Sequence, residues 1–455
     1  MTRSIGRTGT MLEGPLFKCI TYYTIPIILT GILQLLFNAA DLVVVGRFCG
    51  EISVAAVGNA GTVTSLIVNL FIGLSVGTGV TVAHALGANK SDNVHRAVHT
   101  AIPAAIVSGI IITVVGLVFS KGLLRLMDTP DSVLPLSNIY LKIYFAGTIF
   151  MMVYNFAAAI LRAAGDTKSP LIFLTIAGVV NVILNVFFVT VFHMNVAGVA
   201  LATTVSQGVS AVLVVIALMR RTDACKLYLS KMRFYKAQLL EIIRIGLPAG
   251  IQNSLFSISN VIIQTSINSF GDIFMSGNAA ANNIDGFLYV TLNGFHQTAL
   301  NFIGQNVGAG QYRRAKKILW TCLGYVVVVG LIAGALIYAA GPFLLSIYIP
   351  DSPEAVMWGM VRLSCLCFAF VFGGLMDVST GALRGMGAST SPMIISVLGI
   401  CGLRILWIYT IFQIPAFHTP QCLYISYAVS WGLTFLFQLA AFLLIYRKKT
   451  RCTLE

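Results

Sequence analysis

The chain has 455 residues, 57% of them hydrophobic and only 10% charged, with a mean hydropathy of +0.89. A soluble protein carries about 25% charged residues, so the polar supply is too small to cover a globular surface and the bilayer is the natural solvent. The net charge of +14 sits in short segments between apolar runs, which fits a membrane surface and disfavours nucleic acid as the partner.

Crossing about 30 Å of hydrocarbon takes roughly 20 apolar residues. Spans are predicted over 20–45, 54–83, 97–120, 136–160, 171–192, 196–219, 239–268, 278–305, 318–340, 356–383, 391–413 and 421–446, an all-α polytopic membrane protein of twelve transmembrane helices. The longer ones imply tilt or bending, and Pro26, Pro103, Pro248 and Pro392 are candidate kinks. The first residues, with Arg3, Arg7, Glu13 and Lys18, lack an apolar core followed by a small-residue cleavage site, so no removable signal peptide is expected. Placing both termini in the cytoplasm puts 23 of the 29 Lys and Arg inside, Arg3, Arg7 and Arg384 among them; Arg47, Lys121, Arg125, Lys142, Arg362 and Arg404 are the exceptions. By the positive-inside rule, this predicts a multi-pass plasma-membrane protein with cytoplasmic termini.

The chain repeats itself. "LRAAGDTKSP" (161–170) resembles "LRGMGASTSP" (383–392), and Pro26 and Pro248, Arg162 and Arg384, and Pro170 and Pro392 are each 222 residues apart. Six spans per half is an even number, so the halves enter the membrane in the same direction, a parallel repeat of the kind transporters use. The expected domains are an N-terminal lobe (1–219), a cytoplasmic linker (220–238) and a C-terminal lobe (239–455).

Enzyme chemistry is not expected. "GANKS" (87–91) and "GDTKS" (165–169) lack phosphate-loop spacing and join helices to helices. Gly73-x-x-x-Gly77 reads as close helix packing. The six histidines are not clustered, and the nine cysteines show neither zinc spacing nor a disulfide framework. No cofactor and no metal site are predicted, apart from Na⁺ at Asp41 as one option for a coupling ion.

Three acids fall inside predicted spans, Asp41, Asp285 and Asp377, and Arg404 is the clearest base there. Such groups are costly and face a cavity, a relay or a partner. For Asp285 and Asp377 a structural pair with Arg404 weighs as much as a candidate second polar site made of the three. Asp41 lies roughly 30 Å along an outward-running helix, in the outer half of the membrane. Asn181 and Asn185, four apart on helix five, share one face, and Thr203 of helix six and Tyr140 of helix four come to similar depth. Any one of these alone reads as a packing hydrogen bond. Together, from four helices of one half, they read as a shared cavity.

On "AADLVVVGRFCGEISVAAVGNA" (39–60), "LRAAGDTKSP", "NVILN" (181–185), "GVALATTVSQ" (198–207), "GLPAGIQ" (246–252), "IGQNVGAG" (303–310) and "LRGMGAS" (383–389), the chain resembles the multidrug and toxic compound extrusion (MATE) transporters over roughly residues 15–446. The resemblance implies two six-helix lobes related by a pseudo-twofold axis around a central cleft. It implies export of amphipathic, often cationic drug-like compounds in exchange for H⁺ or Na⁺, in a chain that works as a monomer among membrane lipids. In the DinF-like branch a helix-one aspartate carries the coupling ion, and Asp41 matches it; the helix-five asparagine matches Asn181. The position four residues on is commonly a second aspartate in that branch and here is Asn185. The helix-seven glutamate of the sodium-coupled NorM branch has no match in "LPAGIQNSLFSISN" (247–260). The expected cycle has Asp41 neutralised from outside, held by Asn181, Asn185, Tyr140 and Thr203, with Pro26 as the hinge of helix one. The rival reading is a MOP-type flippase of lipid-linked saccharides, which calls for several basic residues along a cavity.

Overall fold

The turns show why the chain folds back where it does. Gly50 and Gly271 (φ 84° and 93°) each stand just before a helix, and Gly165 and Gly387 (φ 90° and 79°) each follow one. Left-handed backbone at these values favours glycine, and the two pairs lie 221 and 222 residues apart, so the repeat extends into turn geometry. The computed structural model describes residues 9–127, 129–350 and 352–451. Arg3 and Arg7, counted above among the cytoplasmic charges, lie outside the described residues.

After a short helix, Gly9–Leu12, twelve long helices follow: α1 Leu16–Phe48, α2 Glu51–Gly87, α3 Ser91–Leu126, α4 Leu134–Ala163, α5 Lys168–Thr190, α6 Asn195–Met219, α7 Lys236–Asn268, α8 Asp272–Gly308, α9 Tyr312–Tyr348, α10 Pro353–Gly385, α11 and α12 Pro420–Arg451. α11 is interrupted: Thr390–Ser396 passes into a π-helical turn, Val397–Gly402, before Leu403–Tyr409. Ten of the twelve are long and apolar enough to cross a membrane by length and composition. α7 and α8 are as long but more polar; α8 alone carries Asn278, Asn282, Asn283, Asp285, His296 and Asn301. Most reach well beyond the predicted spans, because apolarity marks the hydrocarbon-embedded part while backbone hydrogen bonding carries the helix into polar surroundings.

The helices form two compact units whose boundaries differ from chain order. Among the described residues the first comprises 9–10 and 29–254, the second 11–28 and 255–451. In the first unit α4 is central, packed on α2, α3 and α6; in the second α10 holds the matching place, against α8, α9 and α12. The 236–254 part of α7 belongs to the first unit because glycines let two backbones meet. A Cβ on Gly73 or Gly77 of α2 would strike backbone at Gly250, Ile242 and Gly246, so Gly73-x-x-x-Gly77 faces a second small-residue pair. The 16–28 part of α1 belongs to the second unit: Thr24 and Thr298 hydroxyls lie 2.7 Å apart, and Tyr23 meets Phe302 edge-on with ring centroids 5.1 Å apart. Each unit has its own buried apolar core, with Phe145, Met152, Phe156 and Ile160 in the first and Phe302, Leu319, Tyr424 and Phe442 in the second.

Candidate functional site

The approach of α1 to α5 positions the site in the first unit. Gly178 has no side chain, and the Phe37 ring of α1 occupies the place a Cβ there would take. Asp41 stands one turn after Phe37, and Asn181 and Asn185 stand three and seven residues after Gly178. At these spacings each set shares one helix face, so the Phe37–Gly178 contact brings the carboxylate to the amides.

The result is a directed chain of hydrogen bonds. Asn185 Nδ2 donates to Asp41 Oδ1 and also to Asn181 Oδ1 at 3.1 Å. Asn181 Nδ2 donates to Thr203 Oγ1 at 3.3 Å, and Thr203 Oγ1 donates to the Val199 carbonyl at 3.0 Å. Thr203 is also within hydrogen-bonding reach of the Asp41 carboxylate, and Tyr140 on α4 stands within its electrostatic field. Asn181, Asn185 and Tyr140 are buried, and Asp41 is half-buried. Asn185 Oδ1 is a buried oxygen with no hydrogen-bond partner among the described residues, so the side chain that grips Asp41 carries a spare acceptor. All five residues singled out for this half from the sequence thus fall in one unit.

The polar groups of the second unit are arranged otherwise than expected. Asp285 pairs with Arg362, not Arg404: Arg362 Nε donates to Asp285 Oδ2 at 2.8 Å, Nη1 to Asn278 Oδ1 at 2.8 Å and Nη2 to Asn282 Oδ1 at 2.8 Å. Tyr424 completes the cluster by donating to Asn278 Oδ1 at 2.9 Å. Arg404 sits over the Tyr427 ring at 3.9 Å and near Trp431 at 5.2 Å, and its Nε donates to Ser430 Oγ at 3.0 Å. Among the described residues it makes no ion pair with an acid. Asp377 instead lies in the electrostatic field of Arg384, seven residues on and on the same side of α10. Arg384, counted above as cytoplasmic, is buried at 3% exposure. The Asp377 carbonyl accepts from His296 Nδ1 at 2.6 Å. Asp285, Asp377 and Arg404 therefore have three separate sets of neighbours. The i, i+7 spacing of Asp377 and Arg384 is a sequence signal that locates the second of these; nothing in the spacing of Arg362 points to Asp285.

Asp41 and its partners supply oxygen atoms and no thiolate or imidazole, a set that suits a proton or a hard cation. Among the described residues no group of three or more His, Cys, Asp or Glu is placed to hold a metal ion.

The MatE family model matches this chain twice, over residues 26–187 and 248–410. These matches begin 222 residues apart, the offset of the internal repeat. The chain is 28% identical to the "Probable multidrug resistance protein YpnP" of Bacillus subtilis (strain 168), over 96% of each chain. It is 21% identical to the "Multidrug export protein MepA" of Staphylococcus aureus (strain bovine RF122 / ET3-1), over 97% of this chain and 96% of that one. Among solved structures, a MOP superfamily transporter from Pyrococcus furiosus Vc1 (DSM3638) superposes with a TM-score of 0.91 at 20% identity, over 99% of each chain. A multidrug resistance MATE family transporter in an outward-facing conformation gives 0.89 at 20% identity, over 99% of this chain and all of that one. These two share the fold.

Proposed function

The chain belongs to the MatE family of membrane transporters, and from that premise we propose that it exports amphipathic, often cationic drug-like compounds in exchange for H⁺ or Na⁺, by alternating access. The observation that carries this reading is Asp41, an acid inside an apolar helix whose carboxylate accepts from Asn185, an amide that also donates to Asn181, which in turn donates to Thr203. An acid kept at such depth needs a use or a partner, and among the described residues no base forms an ion pair with Asp41.

The residues divide the work as follows. Ionised Asp41 accepts the Asn185 N–H. A proton or Na⁺ arriving from outside neutralises it, and the spare Asn185 oxygen gives the ion a second acceptor. A turn of the Asn185 amide presents that oxygen to a protonated carboxyl, so one side chain serves both charge states. Asn181 and Thr203 hold Asn185 in line, and Tyr140 walls the carboxylate from the α4 side. Neutralisation removes the need of α1 for polar partners, and Pro26 inside that helix is the hinge. Each charge moved through the membrane field contributes about 2.3 kcal/mol per 100 mV. Drug is held by apolar and aromatic surface. The single helix-one acid aligns with the DinF-like branch, and the protein acts as a monomer in the plasma membrane with both termini cytoplasmic.

The test is efflux of a fluorescent cationic dye from proteoliposomes under an imposed pH gradient or an imposed Na⁺ gradient. Dye movement driven by one of them is the expected result and names the ion. Movement indifferent to both overturns the exchange.

A further inference from the structure

The segment that follows α6, residues 220–236, is basic and unusually well fastened. His99 of α3, fully buried, is its anchor. His99 Nδ1 donates to the His95 carbonyl at 2.7 Å, and its Nε2 accepts the Tyr228 backbone N–H at 3.0 Å. The Arg233 N–H donates to the His99 carbonyl at 3.3 Å, and the Tyr235 N–H to Thr100 Oγ1 at 3.1 Å. With Nδ1 donating and Nε2 accepting, His99 is the neutral imidazole. It therefore fixes the backbone without adding charge.

Beside this clamp lies a cleft of about 610 Å³, lined by residues of α3 and of the segment. Two ammonium groups border it, each near the same ring: Lys226 Nζ lies 5.1 Å and Lys231 Nζ 4.9 Å from the Tyr228 centroid. His95 adds an imidazole. The acids of the lining are committed elsewhere. Asp92 pairs with Arg96 at 2.7 Å, and Asp223 takes Arg221 through both oxygens, Nε to Oδ1 at 2.9 Å and to Oδ2 at 3.1 Å. Among the described residues neither lysine is in an ion pair. Two cations lining one cleft, with the neighbouring acids each paired to an arginine, leave it a net positive potential that attracts an anion. Leu229 and Phe234, each about half exposed, interleave with Lys226, Lys231 and Arg233. Apolar and basic residues in that mixture suit the headgroup layer of an anionic membrane better than free solution.

We propose that the Lys226–Lys231 cleft binds the phosphate headgroup of an anionic phospholipid in the leaflet on its side of the membrane. The lysines neutralise the phosphodiester, and Leu229 and Phe234 enter the interface beside it. The proposal does not rest on which compounds or ions are exchanged.

The test uses the full purified chain in a neutral detergent, titrated with short-chain phosphatidylglycerol, with phosphatidylcholine of the same chain length, and with inorganic phosphate. A lysine near an anionic surface contributes about fivefold in affinity. The wild type is expected to prefer phosphatidylglycerol at least about tenfold over phosphatidylcholine, and to lose affinity as salt is raised. Lys226→Gln with Lys231→Gln should weaken phosphatidylglycerol binding about 25-fold, each single change about fivefold, while Lys226→Arg with Lys231→Arg retains it. Unaltered binding by the double glutamine variant, with an unchanged thermal transition, would overturn the proposal. Inorganic phosphate binding as tightly as the lipid would overturn the lipid assignment and leave a soluble-anion site.

Discussion

Removing the Arg362 side chain tests whether Asp285 belongs to structure or to transport. Arg362 is 5% exposed and Asp285 2% exposed. The guanidinium makes three hydrogen bonds of 2.8 Å; among the described residues, one of them is the only bond to the Asp285 carboxylate, whose Oδ1 has no partner there. Arg362→Met therefore leaves a buried charge uncompensated. Asn278 Oδ1 keeps the Tyr424 hydroxyl, and Asn282 is exposed, so neither adds much. Breaking a buried pair from one side costs about 3–5 kcal/mol, and that is the expected loss. Asp285→Leu alone leaves the arginine stranded and should also destabilise. Together, Arg362→Met and Asp285→Leu exchange the pair for apolar contact, which is often neutral or stabilising, so the double variant should recover most of the loss. Unfolding in mixed micelles of the four proteins gives the cycle. A coupling energy within about 0.5 kcal/mol of zero, the additivity of independent sites, would refute the paired assignment and return Asp285 to the candidates for ion binding.

Two further outcomes follow from other contacts. Gly178→Ala places a Cβ where the Phe37 ring sits; overpacking of this kind costs about 1–3 kcal/mol, and because the same contact sets the Asp41–Asn185 approach, gradient-driven efflux should fall with it. Phe37→Leu in the Gly178→Ala background should restore part of both, which unfolding and efflux measured on the same preparations will check. The second outcome concerns pH. Burial pushes the Asp223 carboxyl up, but Arg221 outweighs it and holds it below the ordinary carboxylate range. A depressed folded-state value means stability present above the ordinary aspartate range and lost as pH falls through the folded value. Hydrogen-exchange protection across 220–236, taken relative to the intrinsic rate at each pH, should therefore be high at neutral pH and fall on acidification, whereas Asp223→Asn should lack that acid step.

The helices and the repeat were legible because both are written locally. Apolar runs set the spans, and similar turn segments repeated at a 222-residue offset set the halves. The first polar cluster was legible too, since rise per residue and the i, i+4 spacing of Asn181 and Asn185 carry depth and face. The Phe37–Gly178 contact that closes it was not, because an empty Cβ position has no periodic signal. The partner of Asp285 was missed for a related reason. Arg362 and Arg404 are both arginines of the second half, and which one faces α8 is decided by helix rotation and neighbour choice. The π-helical turn at 397–402 was equally hidden. It lies where Gly399 lets Thr434 approach closely, a contact between residues far apart in sequence. Unit boundaries within α1 and α7 depend on packing and not on chain order, so a division at the linker does not find them.

The most direct measurement is dye efflux by wild type and by Asp41→Asn in proteoliposomes, under a pH gradient and under a Na⁺ gradient, with the thermal transition of each protein recorded alongside. If Asp41 is the coupling carboxylate, the wild type responds to one gradient and the variant, folded and inserted, responds to neither. Equal responses from the two proteins would contradict that role and leave Asp41 a structural acceptor for Asn185.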